Sequence, residues 1–354
     1  MSNRLWMALP FGLALFASAA LAQPPAGHGP YFPASSPWYR DISNAPVDPE
    51  SATVIAWLSN NGIWTGNVNL LPPARMQIDF SIEVLEADAT APLQGFTSTD
   101  DFYDPDCDQV PVPLPAGGAI EGETGYECAG DGDCHLIVVH KPTQQLYEMW
   151  RANVEGGTFY GGCLAVWDMS VTYPADGRGE QCTSADAAGF PIAPLLFSAD
   201  EVAAGQINHA IRFILPNSRM RDEVYVHPAT HSTFETSGPP SAPPYGARLR
   251  LRADYPLQNL PNEGARVVAR AMQKYGILLA DGGNIALTAQ SDRFTTAKWD
   301  GLLGPHDLAI LKITDFQMVD GGTRFDWTGD CSRNAMFYDG FEPGTTSKWS
   351  HKTP

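Results

Sequence analysis

The chain's most chemically suggestive residues are carboxylates set among apolar neighbours. Glu148 stands in Leu146-Tyr147-Glu148-Met149-Trp150, and Asp168 in Val166-Trp167-Asp168-Met169. Period two turns Glu148 inward if Leu146 and Trp150 face inward. A carboxyl group buried against an indole has a raised pKa and can act as a general acid. With Asp168 on a neighbouring strand, about 5–10 Å away, it would form a glycosidase pair. The competing reading is that each carboxylate faces solvent or pairs with an arginine.

Histidines form the second candidate set. His135, His140, His209, His227 and His231 fall at the ends of β-rich runs. Three that converge can hold a metal or serve as base and acid, with His135, His209 and His231 the candidates here. His227 and His231 are four apart, but Pro228 makes a zinc-binding helix poor, and no HExxH motif occurs. Separate structural histidines are the alternative. The third set is acidic: Asp101, Asp104, Asp106, Asp108, Asp131 and Asp133 crowd one loop-rich stretch. Clustered carboxylates suit calcium, although the spacing is not that of an EF-hand. A solvated acidic loop is the plainer reading. Arg248, Arg250 and Arg252 share one strand face and would clamp an anion or pair with the protein's own acids.

The elements that must position these groups are mostly short strands. Met76 to Val84 alternates apolar and polar residues without error. His135–His140 and Gln145–Arg151 read as a hairpin about Lys141-Pro142-Thr143-Gln144. Further strands are expected near 163–167, 208–215, 223–227 and 247–253. Asp281-Gly282-Gly283 reads as a hairpin turn between 277–280 and 284–288. Helices are expected at 48–58, after the Ser198/Glu201 capping box, and at 262–275 before Gly276. With 33 Gly and 30 Pro and no βαβ rhythm, the pattern predicts a mainly β chain. The expected fold is an antiparallel β-sandwich or jelly-roll-like single domain with a few peripheral helices.

Residues 1–22 have the form of a cleavable signal peptide: Arg4, an apolar stretch, then Ala20-Leu21-Ala22. Residues 23–47 read as an extended lead-in, 48–322 as the globular domain and 323–354 as a C-terminal tail. The protein is therefore expected to be secreted, periplasmic or extracellular, with no later membrane span. Export permits disulfides among the six cysteines. A local bridge within Cys107, Cys128 and Cys134 is expected, and Cys163 with Cys182 would close another loop. The balance of 22 Lys+Arg against 40 Asp+Glu gives a formal charge of −18. That argues against nucleic acid as a partner.

The stretches DISNAPVDPESATVIAWL (41–58), TSADAAGFPIAPLLFSADEVAAGQINHAIRF (183–213), PPYGARLRLRADY (243–255) and KYGILLADGG (274–283) resemble a family of exported bacterial proteins of unassigned function. The resemblance spans about residues 36–320. It implies a single secreted domain and carries no catalytic assignment. FYDGFEPGTTSKWS (337–350) resembles a short C-terminal tail of many exported bacterial proteins.

Three functions fit these features. The first is a secreted hydrolase of polysaccharide or glycoconjugate, using Glu148 and Asp168 with His135 or His209 nearby. The second is a non-enzymatic carbohydrate-binding or adhesion protein with structural calcium, whose partner is an extracellular glycan or cell-surface ligand. The third is a polysaccharide lyase or histidine–metal enzyme. Whether Glu148 shares a concave cleft with a second acid discriminates the first from the second.

Overall fold

In the computed structural model, which describes residues 24–62, 64, 75–130 and 132–333, Leu136–His140 and Gln145–Met149 pair in antiparallel register across the turn Lys141–Thr143. Leu164–Asp168 joins the free edge of Gln145–Met149, and Leu85–Ala87 runs parallel to Leu136–His140. The resulting four-stranded sheet is covered on both faces. Ile137, Val139, Leu146, Ala165 and Trp167 point into the larger core. Their alternates Leu136, Val138, Tyr147, Met149, Leu164 and Val166 point into a smaller one.

A six-stranded sheet forms the rest of the framework. Its order is Ile78–Ile82, Leu287–Gln290, Ile211–Leu215, Ile277–Gly282, Arg248–Leu251 and Phe316–Val319. The chain is a mainly β single domain, as expected, with three α-helices among the described residues. The strands are not all antiparallel as expected, because this sheet is mixed. Ile78–Ile82 runs parallel to Leu287–Gln290, and Ile211–Leu215 parallel to Ile277–Gly282. The hairpin expected about Asp281-Gly282-Gly283 is also overturned. Ile211–Leu215 lies between the two strands that the turn was to join. The Met76–Val84 run is shorter than its alternation suggests, ending at Ile82 after an irregularity in its pairing.

Helix α1 (Ser51–Asn60) follows Asp48, whose carboxylate accepts the Glu50 amide at 2.8 Å. It lies against the edge strand, where the Ser51 hydroxyl accepts the Met318 amide. Helix α2 (Ala199–Ala203) carries the expected Ser198/Glu201 capping box. Helix α3 (Glu263–Lys274) is capped by Asn262 and buries Val267, Val268, Ala271 and Met272. Gly276 ends it at φ +73°, where a side chain would also press on the Leu249 carbonyl. Two of the three stripe arginines take neither expected role. Arg248 donates to the carbonyls of Pro37, Arg40 and Tyr275, and Arg250 to those of Ile42, Ser43 and Ala45. Only Arg252 pairs with an acid, Asp254. The stripe thus fastens the lead-in to the sheet, and Trp38 is buried with it.

All six cysteines are bridged: Cys107–Cys163, Cys128–Cys134 and Cys182–Cys331. The local Cys128–Cys134 bridge was expected. The Cys163–Cys182 bridge is not formed. Three disulfides and no free thiol fit an oxidising, extracellular-type environment. The boundary at residue 322 also moves. Arg324–Asp326 pairs with Val224–Val226, Ser332–Arg333 pairs with Gly179–Glu180, and Cys331 is bridged to the body. The expected signal peptide and residues 334–354 lie outside the described residues. Among the described residues, no helix is long and apolar enough to cross a membrane.

Chain-entropy reasoning ranks the bridges by the loop each closes. Cys182–Cys331 spans 149 residues and Cys128–Cys134 only 6. Replacing the first pair by serine should lower the unfolding free energy by about 5 kcal/mol, and the second by about 2 kcal/mol. Non-reducing urea titrations of the two double variants measure that order.

Candidate functional site

Three of the groups singled out in the sequence, His135, Glu148 and His231, gather around an irregular, mostly buried segment, Ser184–Ala193. Its backbone would leave polar groups stranded in the interior unless side chains met them. The Ala185 carbonyl accepts from His135 Nε2 at 3.1 Å, and the Ala187 carbonyl from His231 Nδ1 at 2.7 Å. The amides of Ile192 and Ala193 both donate to Glu148 at 2.8 Å. Asp186, fully buried, receives Arg212 through Nε at 3.2 Å and Nη2 at 2.8 Å. Arg212 Nη2 also reaches Asp281 Oδ2 at 2.8 Å, and Nη1 donates to Thr288 Oγ1 at 2.8 Å.

Glu148 is inward, as period two requires, opposite Ile137 and Ala165. It is wholly enclosed, and burial pushes its carboxyl up to about 7 against the opposing pull of the two amides and His135. Asp168 lies three residues beyond Ala165, so it projects to the other face of the same sheet. There it caps a turn, accepting the Ser170 amide at 2.8 Å and the Ser170 hydroxyl at 2.6 Å. The expected glycosidase pair is therefore not assembled, because the sheet separates its two members.

His135 is buried and its Nδ1 lies 2.6 Å from Glu121 Oε2. Burial favours the neutral ring, but Glu121 outweighs it and raises the imidazole to about 9. Glu121 falls to about 2, since the His135 attraction exceeds its own burial. His209 sits elsewhere, between the Ala210 carbonyl at 2.7 Å and Glu201 at 3.2 Å. Burial pulls it down and Glu201 raises it more strongly. His231 has no such partner, and burial lowers it to about 4. His135, Glu148 and His231 thus share one segment; His135 and Glu148 are closed in by the protein's own groups, and His231 is half-buried. Three members of this network were not singled out in the sequence: Asp186, Arg212 and Asp281. Arg212 carried a readable signal, as the lone charge in the apolar run Ile211–Leu215.

Among the described residues, the carboxylates of the acidic stretch are met by separate partners. Asp106 accepts the Thr183 amide at 2.7 Å. Asp108 is shared by Arg178 at 2.6 Å and Arg333 at 2.7 Å. Asp133 accepts the Trp150 indole N–H at 3.0 Å. Asp104 is exposed, and Asp131 lies outside the described residues. Among the described residues, two groups of three possible donors come together, and each contains two cysteines already joined in a disulfide.

Asp101 belongs to a different feature, an open surface cleft. Thr99, Asp101, Cys128, Arg151, Asn153, Glu155 and Tyr160 line it. Its floor is a short sheet in which Asn153–Glu155 pairs with Thr158–Gly161 and Thr97–Ser98 adds in parallel. Asn153 stands directly opposite Tyr160, so the two share a face with Glu155. Asn153 Oδ1 accepts the Cys128 amide at 2.9 Å, which ties the cleft wall to the Cys128–Cys134 bridge. Two carboxylates, an amide, a guanidinium, a hydroxyl and a phenol ring thus meet in one concavity.

Two outcomes separate structural from surface carboxylates. Glu148→Ala strands two buried amides and should cost about 3 kcal/mol or more, whereas Asp168→Ala should cost about 1 kcal/mol. Urea denaturation checks both. The second concerns pH. Glu83 and Glu148 are raised to about 7 and Asp186 to about 8 by burial. A carboxyl with a folded pKa above its unfolded value loses stability as pH rises towards the folded value. His135, raised to about 9, contributes stability below the unfolded histidine pKa and loses it as pH rises through 9. All four act in the same direction, so denaturation midpoints should fall from pH 6 to pH 9.

Compared with protein-family models, curated proteins and solved structures, the chain finds no match.

Proposed function

We propose that the protein is an exported, glycan-binding protein whose ligand occupies the Asp101–Tyr160 cleft. One observation carries this reading: Asp101, Asn153, Glu155 and Thr99 line one open cleft together with Tyr160. Sugars are recognised by that combination, with carboxylate and amide groups bonding hydroxyls and an aromatic ring covering the apolar face of the pyranose. The three disulfides and the signal-peptide-like leader support an extracellular setting, where glycans are the abundant neutral ligands. Binding is preferred to hydrolysis because Glu148 is enclosed and Asp168 lies across the sheet from it.

The test is a glycan array with purified mature protein, followed by calorimetry on the best oligosaccharide. Tyr160→Ala and Asp101→Ala should each weaken binding about tenfold, or ~1.4 kcal/mol, while Asp168→Ala leaves it unchanged. Absence of binding to any glycan, or binding indifferent to both cleft substitutions, would falsify the reading. Cleavage of the bound oligosaccharide would restore the hydrolase alternative.

A further inference from the structure

A second surface, separate from the cleft, holds an imidazole in a catalytic posture. Glu180 lies on the Gly179–Glu180 strand, and His227 just beyond Val224–Val226. Glu180 Oε2 accepts from His227 Nε2 at 3.1 Å, while Oε1 accepts the Tyr225 hydroxyl. Gln181 steadies the arrangement from behind. Its amide donates to Tyr225 Oη at 3.0 Å and to the Asp326 carbonyl at 3.2 Å, and its oxygen accepts the Thr328 amide at 2.8 Å. Gln181 sits at φ +66°, a conformation a non-glycine residue keeps only when its surroundings hold it there. Phe325 packs 4.5 Å from the His227 ring and stacks on Tyr225 at 5.4 Å.

His227 differs from the other carboxylate-bonded histidines. His135 and His209 are buried with both ring nitrogens engaged. The His227 side chain is 25% exposed and that of Glu180 32%. Its Nδ1 has no hydrogen-bond partner among the described residues. A base oriented by a carboxylate through one nitrogen, with the other open to solvent, is the arrangement that activates an attacking group. Beside it runs an aromatic row. Phe325 and Trp327 are two residues apart, and Phe234, 72% exposed, packs 4.4 Å from Trp327.

We propose that His227 is the general base of an ester-hydrolysing site, with Glu180 its positioning residue and Phe325, Trp327 and Phe234 the platform for an aryl or other apolar ester. His227 Nδ1 removes a proton from water as the water oxygen bonds to the ester carbonyl carbon. The tetrahedral adduct then expels the alcohol oxygen, which takes the proton back from the imidazolium. The products are a carboxylic acid, which ionises, and an alcohol. Acetal cleavage fits the site less well, because it needs two free carboxyl groups, and Glu180 is already bonded to His227 and Tyr225.

The experiment is hydrolysis of p-nitrophenyl acetate by the intact, disulfide-bonded protein, read against buffer. His227→Ala should lower the rate about tenfold or more, and His227→Gln, which keeps a donor for Glu180, should do the same. Added free imidazole should partly rescue His227→Ala. Glu180→Gln should lower kcat with little change in KM, whereas Phe234→Ala should raise KM. His28→Ala, which removes an exposed histidine elsewhere, should change nothing. Hydrolysis no faster than buffer, or unaltered by either His227 substitution in variants that melt like the wild type, would overturn the proposal.

Discussion

A charge inside a protein must be met by other protein groups, and that constraint organises this fold. Isolated buried charges are too costly to keep, so each is paired or hydrogen-bonded. Segment Ser184–Ala193 has no ladder of its own, and the two sheets supply its partners. Glu148 comes from the four-stranded sheet, with His135 just before the neighbouring strand. Arg212 and Asp281 come from the six-stranded sheet. The segment is therefore a polar crosslink between the two sheets, and the Ala188 amide adds a bond to the Ala280 carbonyl of the six-stranded sheet. Removing one partner of such a set costs about 3–5 kcal/mol, more than most single core contacts.

What could be read from the sequence is what local geometry decides. The inward orientation of Glu148 follows from strand parity, and the Ser198/Glu201 box and helix α3 follow from signals within a few residues. What met Glu148 could not be read, because Ile192 and Ala193 lie more than forty residues away. Asp168 went the same way: its parity was open to inspection, but the register with Glu148 is a property of the pairing. The Asp281-Gly282-Gly283 turn misled because strand 211–215, well over sixty residues earlier, inserts between its flanks. Arg248 and Arg250 looked like an anion clamp, since a one-dimensional pattern cannot show that lead-in carbonyls will lie above them.

The charge of −18 acquires a different meaning in three dimensions. The acidic stretch from Asp101 to Asp133 is divided among a backbone N–H, two arginines, an indole and the cleft wall. Only part of it remains available to a ligand. The most conspicuous acids and histidines are held in the interior by the protein's own groups, and the two proposed sites lie on surfaces instead. One is polar and concave around Tyr160. The other is aromatic and carries His227.

The division of labour between enclosed and open groups is testable at the crosslink itself. Hydrogen–deuterium exchange resolved over residues 184–193 reads whether the segment is held as firmly as the sheets on either side. If buried partners fix it, the Ile192 and Ala193 amides exchange as slowly as the amides of Gln145–Met149, and Glu148→Ala speeds them selectively. Exchange of those two amides as fast as that of the exposed loop at 99–106 would contradict the polar crosslink as the basis of the fold.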